Sequence, residues 1–152
     1  MRRLSSAQYS LALSITLLLF FCSDGETCAQ PQDLKVEDYC RLTVSLMELS
    51  VREWNERVPV AEQNKGDRKK FQARLDVIAK KYQNLQNKSY HQFGAGRRAY
   101  LQYSASHAAE IESYLQDNPD VKGAIDSLKN QIDNLIQQFE SAMPQRQEGG
   151  QQ

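Results

Sequence analysis

Apolar residues recur every three or four positions over four stretches of the chain, the spacing that places them on one face of an α-helix. We therefore predict four helices, over residues 34–57, 67–92, 97–117 and 119–143. Prolines and glycines fall almost entirely between these stretches. This distribution is typical of long helices joined by short loops.

The last predicted helix has the clearest pattern. Its apolar residues follow heptad spacing: Val121, Ile125, Leu128, Ile132, Leu135 and Phe139. We predict that Asn118 caps this helix and that Pro119 takes its first position, where the missing N–H costs nothing. Pro144 would end it. Heptad spacing of this kind favours coiled-coil-like packing against another helix.

Local signals also predict the other helix ends. Asp33 is the predicted N-cap of the first helix, because its carboxylate can accept from the free N–H groups of the first turn. Val58 precedes Pro59, and a residue before proline avoids the helical region, so we expect the first helix to end there. Gly94 can close the second helix in a left-handed conformation.

These elements predict an all-α fold. Short loops make consecutive helices antiparallel, which gives an up-down four-helix bundle with heptad-like packing. The alternative depends on residues 94–96. If they kink the chain without reversing it, the second and third helices merge, and the fold becomes an elongated helical hairpin or coiled coil.

The N-terminus resembles a targeting segment. Arg2 and Arg3 precede an apolar run at residues 11–21, and small residues end at Ala29. This order is typical of a secretory signal peptide, which we place at residues 1–29. We therefore predict a periplasmic or secreted protein, with a helical domain at residues 30–143. Residues 144–152 are polar and too poor in apolar side chains to order themselves.

Two alternatives to a cleaved signal remain open. The uncharged run from Leu4 to Cys22 has about 19 residues, enough to span a bilayer as an uncleaved anchor. Cys22 could instead carry a lipid, since Leu19 suits position −3, although Phe21 stands where a small residue is expected. Either alternative would give a membrane-anchored protein.

Charge and cysteine content narrow the choice of partners. Lysine plus arginine and aspartate plus glutamate each number 19, so the formal net charge is zero. Because no basic excess is present, we predict no binding to nucleic acid.

After cleavage at Ala29, Cys40 is the one cysteine that remains. We interpret it as a buried apolar residue on a helix face, with a free or intermolecular thiol as the alternative.

Aromatic and basic residues gather around the second loop, and they form a candidate ligand site: Tyr90, Phe93, Arg97, Arg98, Tyr100 and Tyr103. Aromatic faces beside guanidinium groups could hold an anionic or planar ligand. The alternative, which we favour, is that the aromatic rings pack at one end of the bundle while the arginines stay in water.

His107 and Glu110 are the candidate metal ligands, because residues three apart share one face of a helix. One such pair falls short of the ligand number that metal sites in proteins need. Met47 with His107 is an alternative pair for non-covalent haem. We predict no cofactor.

No catalytic constellation is recognisable in the sequence. We therefore predict a non-enzymatic binding or assembly role in the cell envelope, with a protein partner or self-association. The alternative is a carrier of a small ligand, metal or haem that uses the bundle interior. Contact with a membrane would occur only through an uncleaved signal or a lipidated Cys22.

Overall fold

The computed structural model of the protein describes residues 34–64 and 67–143. These residues all belong to one unit of the chain, Pro31–Gln152. Six predictions lie outside the described residues: the signal peptide, the uncleaved anchor, the lipidated Cys22, the Asp33 cap, Pro144 as the end of the last helix and the polar tail.

The described residues form five α-helices and no strand, which confirms the all-α prediction. In chain order they are α1 (Val36–Gln63), α2 (Arg68–Gln92), α3 (Arg97–Ser106), α4 (Ala108–Asp117) and α5 (Pro119–Ala142). None of these helices is long and apolar enough to cross a membrane.

The first helix continues past the proline that was expected to end it. Pro59 lies inside α1, and the predicted end at residue 57 is wrong. Pro59 itself is exposed, whereas Val58, Val60 and Ala61 around it are buried. Burial of these neighbours holds the helical conformation that proline disfavours locally.

Both ends of α2 agree with the predicted range of residues 67–92, and each has a local cap. Oδ1 of Asp67 accepts a hydrogen bond from the Lys70 N–H at 3.0 Å. At the other end Gly94 has a φ of 64°, and the Ala95 N–H reaches back to the Tyr90 carbonyl at 3.0 Å. This is the Schellman arrangement, which satisfies the last carbonyls of a helix. Because α2 ends here, the second and third predicted helices do not merge, as the elongated alternative required.

The third predicted helix is divided in two at His107, so a continuous helix over residues 97–117 is wrong. The backbone of His107 has φ −120° and ψ 27°. Its N–H donates to the Tyr103 carbonyl at the end of α3, and its carbonyl accepts from Ile111 at the start of α4. One residue therefore ends one helix and begins the next.

The last helix begins with Pro119 as predicted, but Asn118 acts differently from the expected cap. No hydrogen bond joins its side chain to the first turn of α5. Its amide instead donates to the Tyr114 carbonyl at 2.8 Å. Asn118 thus closes the end of α4.

The first and last helices run in the same direction, whereas an up-down four-helix bundle requires them to be antiparallel. Val121 near the start of α5 packs against the same buried cluster as Val36 near the start of α1. Near its end, α5 places Phe139 beside Val58 of α1. The two helices therefore run parallel, and the predicted up-down four-helix bundle is not confirmed.

Helix α2 runs antiparallel to α1, with Ser89 opposite Ser45 and Phe71 packed near Val60. Its last turn and the start of α5 both lie beside the N-terminal half of α1. The segment between them therefore begins and ends at the same end of the molecule. The break at His107 lets α3 and α4 cover that end as two short helices.

Candidate functional site

A cluster of tyrosines forms the largest buried group in the described residues. We call it the tyrosine cluster, and its buried members are Tyr39, Cys40, Leu42, Tyr90, Ala95, Tyr100 and Tyr103. The ring of Tyr39 stacks on Tyr100 at 4.8 Å and on Tyr103 at 5.2 Å between centroids. Tyr90 meets Tyr100 at 5.8 Å in a tilted arrangement. These contacts join α1, α2 and α3.

The hydroxyl of Tyr100 has its partner inside the cluster. It lies 2.9 Å from Oγ1 of Thr43, which itself donates to the Tyr39 carbonyl at 2.8 Å. Because the threonine proton is used in that bond, the Tyr100 hydroxyl is the donor to Thr43. Burial, followed by the neighbouring Tyr39, raises the pKa of Tyr100 well above its usual range.

Tyr103 connects the cluster to both candidate metal ligands. Its hydroxyl donates to Oε2 of Glu110 at 3.3 Å, and its ring stacks on His107 with centroids 4.1 Å apart. Burial, reinforced by the Glu110 carboxylate, raises the pKa of Tyr103 to about 12. The phenol therefore stays protonated and serves as a donor at neutral pH.

The hydrogen bonds of His107 indicate which ring nitrogen carries a proton. Ser106 Oγ donates to the Gln102 carbonyl at 2.8 Å. Nδ1 of His107 lies 2.8 Å from that Ser106 Oγ. Since the serine proton is already used, Nδ1 is assigned as the donor to Ser106.

The predicted ligand residues divide into two groups. Tyr90, Tyr100 and Tyr103 are buried in the tyrosine cluster, and Phe93 is half-buried against it. Arg97 is half-buried and Arg98 is exposed. The structure thus brings the aromatic residues together. Ligand binding by these six residues stays a prediction.

Sequence reasoning missed Tyr39 as the central member of this group. Tyr39 lies on α1, about fifty residues before Tyr90 in the numbering, so only the packing of α1 on α3 reveals it. The helical spacing of apolar residues over 34–57 predicts a buried face on α1, but it does not identify the stacking partners of Tyr39. Helical periodicity indicates which face is buried and not what it meets.

Among the described residues, no group of three or more histidines, cysteines, aspartates or glutamates is arranged to hold a metal ion. Tyr103 contacts both candidate ligands, His107 by ring stacking and Glu110 by a hydrogen bond. The predictions of a metal at this pair, and of haem between His107 and Met47, stay predictions.

Cys40 lies within the tyrosine cluster and is 1% exposed. Burial raises the pKa of its thiol, so the thiol stays protonated and unreactive at neutral pH. Its position agrees with the interpretation of Cys40 as a small apolar residue of the core.

A second set of polar contacts joins α1 to α2. Oε1 of Glu56 accepts from Nζ of Lys81 at 2.5 Å and from the Tyr82 hydroxyl at 2.7 Å. Lys81, and after it Tyr82, lowers the pKa of Glu56. Burial, and after it Glu56, raises the pKa of Tyr82 to about 12. These partners fix the register of the two helices.

A groove of about 300 Å³ lies between α1 and α2, and we call it the serine groove. Ser45 and Ser89 line it from opposite helices, with their hydroxyl oxygens 3.4 Å apart. Arg52 on α1 and Lys88 on α2 also line it. The sequence did not signal this groove, because its residues meet only through the pairing of two helices.

Comparison with protein-family models, with curated proteins and with solved structures finds no match for this chain.

Proposed function

We propose that this protein is an exported helical module of the cell envelope that binds a protein partner or assembles with itself, without catalysis. The observation that carries the proposal is the partial exposure of the heptad face of α5. Helix α5 packs mainly on α1, yet its central heptad residues are only half-buried: Ile125, Leu128 and Ile132. Such residues can still bury apolar surface against a further helix.

The tyrosine cluster supports the same proposal. Its rings stack on one another, and the hydroxyls of Tyr100 and Tyr103 bind Thr43 and Glu110. This arrangement uses the aromatic side chains to hold α3 on α1. The alternative, a carrier of a small ligand, metal or haem, needs space in the interior that these rings already fill at this end.

The export part of the proposal is supported by the sequence of residues 1–29 alone. Native intact mass of the protein extracted from its own cells tests it together with the assembly. We expect the mass of residues 30–152 or an integer multiple of it. A mass increased by acyl chains would place the lipid on Cys22, and the full-length mass would mean a retained anchor.

A variant on α5 tests the assembly surface. Ile132→Asn should weaken self-association or partner binding, because it puts an amide on the half-buried heptad face. Val77→Asn is the matched control, since Val77 is an apolar residue of α2 that is 71% exposed. Melting curves of both variants would show that each still folds. Equal binding by Ile132→Asn and the wild type would contradict the proposed surface.

A further inference from the structure

The two serines of the serine groove differ from three other serines of the described helices. Ser50, Ser106 and Ser141 donate to the carbonyl four residues earlier in the helix. Ser45 and Ser89 instead face each other across α1 and α2. A pair of hydroxyls that shares one hydrogen bond keeps one proton to donate elsewhere. Either hydroxyl can be the donor within the pair, so the remaining proton belongs to Ser45, which is half-buried, or to Ser89, which is 7% exposed.

The charged residues around the serine pair favour an anion. Arg52 and Lys88 line the groove from the two helices, and Glu48 is its one carboxylate. Neither cation belongs to the ion pairs of residues 34–64 and 67–143, which use Arg41, Arg57, Lys81 and Lys122. Both cations are exposed and can turn toward a bound group.

The groove also has an apolar part. Leu49 and Leu85 line it, and both pack against the neighbouring core cluster of Val60, Ile78 and Tyr82. A volume of about 300 Å³ is at the lower end of pockets that hold small organic molecules. It exceeds what a single inorganic oxyanion needs.

We propose that the serine groove binds a small organic molecule that carries one compact oxyanion, such as a phosphate monoester. The oxyanion would accept from the free serine hydroxyl and from Arg52 and Lys88. Hydrogen bonds between ionised partners of this kind are shorter and stronger than neutral ones. The carbon part of the ligand would lie against Leu49 and Leu85. This site is independent of the assembly surface on α5.

The test is an NMR titration of the protein isolated from its own cells, with phenyl phosphate and with inorganic phosphate, at ionic strength held constant with chloride. We expect shifts confined to residues 45–52 and 85–92, and tighter binding of phenyl phosphate. Vesicles of phosphatidic acid form a third arm. Binding of the vesicles without binding of phenyl phosphate would overturn the small-molecule site in favour of a lipid surface.

Three variants assign the binding to the groove. Arg52→Gln and Lys88→Gln should each weaken the binding of phenyl phosphate by about five- to tenfold, the loss of one charge-assisted hydrogen bond. Glu48→Gln should strengthen it, because it removes the competing carboxylate. Arg41→Gln and Lys122→Gln remove one positive charge elsewhere and serve as matched controls.

Two further results would overturn the proposal. One is the absence of any shift with phenyl phosphate at tens of millimolar. The other is an equal loss of affinity in the control variants, which would show attraction by overall charge and not by this groove. Equal affinity for phosphate and phenyl phosphate would contradict the role of Leu49 and Leu85.

Discussion

The imidazole of His107 lies flat against the phenol ring of Tyr103, with centroids 4.1 Å apart and planes inclined by 5°. His107 is also the residue at which α3 ends and α4 begins. Because Tyr103 stacks in turn on Tyr39 of α1, the ring pair joins the helix break to the tyrosine cluster. The break is therefore held by packing as well as by its backbone hydrogen bonds.

Replacing His107 tests this role. We expect His107→Ala to lower the free energy of unfolding by about 1 kcal/mol, the contribution of a stacked aromatic pair. His107→Phe should retain most of it. His91→Ala is the control, because His91 is an exposed residue at the end of α2. Urea denaturation followed by circular dichroism measures all three. An equal loss in His91→Ala would mean that the ring pair contributes nothing specific.

The features that sequence reasoning predicted correctly are determined locally. Asp67 contacts Lys70 and Gly94 follows the last turn of α2, so both ends of that helix depend on neighbours within a few residues. The all-α composition follows from periodicity in the same way. Such signals can be recognised in the sequence without knowledge of the tertiary fold.

The features that sequence reasoning missed depend on distant parts of the chain. Residues 97–117 carry one continuous helical pattern, yet they break at His107 because α2 ends, and α5 begins, at the same end of α1. The Tyr39 stack and the serine groove likewise require the pairing of α1 with α2 and α3. Tertiary packing overrides local propensity in such cases.

Two glycines in different conformations form a matched pair of variants. Gly94 has a φ of 64°, so Gly94→Ala should destabilise the protein by about 1 kcal/mol, the cost of a left-handed L-residue. Gly123 lies inside α5, and apart from the backbone of its own helix and its chain neighbours no atom lies within 4 Å of an added Cβ. Gly123→Ala should therefore stabilise it by about 0.5–1 kcal/mol.

Thermal unfolding of both glycine variants measures the two effects. The opposite signs are the diagnostic result, because the same added methyl group is present in each. A stabilised Gly94→Ala variant would contradict the left-handed turn that ends α2.

Pro59 gives a third prediction. A proline inside a helix costs about 3 kcal/mol relative to alanine, and about 1 kcal/mol of this is offset by its effect on the unfolded chain. Since Pro59 is exposed, its removal opens no cavity. We therefore expect Pro59→Ala to raise the free energy of unfolding by about 2 kcal/mol. Destabilisation in chemical denaturation would show instead that the packing of Val58 and Ala61 requires a bend imposed by the proline.

The contact between Tyr82 and Glu56 gives a prediction for alkaline pH. The pKa of Tyr82 is raised to about 12 in the folded protein, first by burial and then by Glu56. A group whose pKa is raised by folding stabilises the fold fully below its unfolded value, near 10, and this contribution is lost as pH rises toward 12. Tyr82→Phe removes the hydroxyl that titrates.

We expect Tyr82→Phe to be less stable than the wild type by about 1 kcal/mol at pH 8, the contribution of one hydrogen bond to a partly exposed carboxylate. Between pH 10 and pH 12 the wild type must ionise Tyr82 in the unfolded state, whereas the variant has no such group. The difference should therefore shrink over this window. Urea denaturation at each pH measures it. A difference that stays constant from pH 8 to pH 12 would mean that folding leaves the pKa of Tyr82 unchanged.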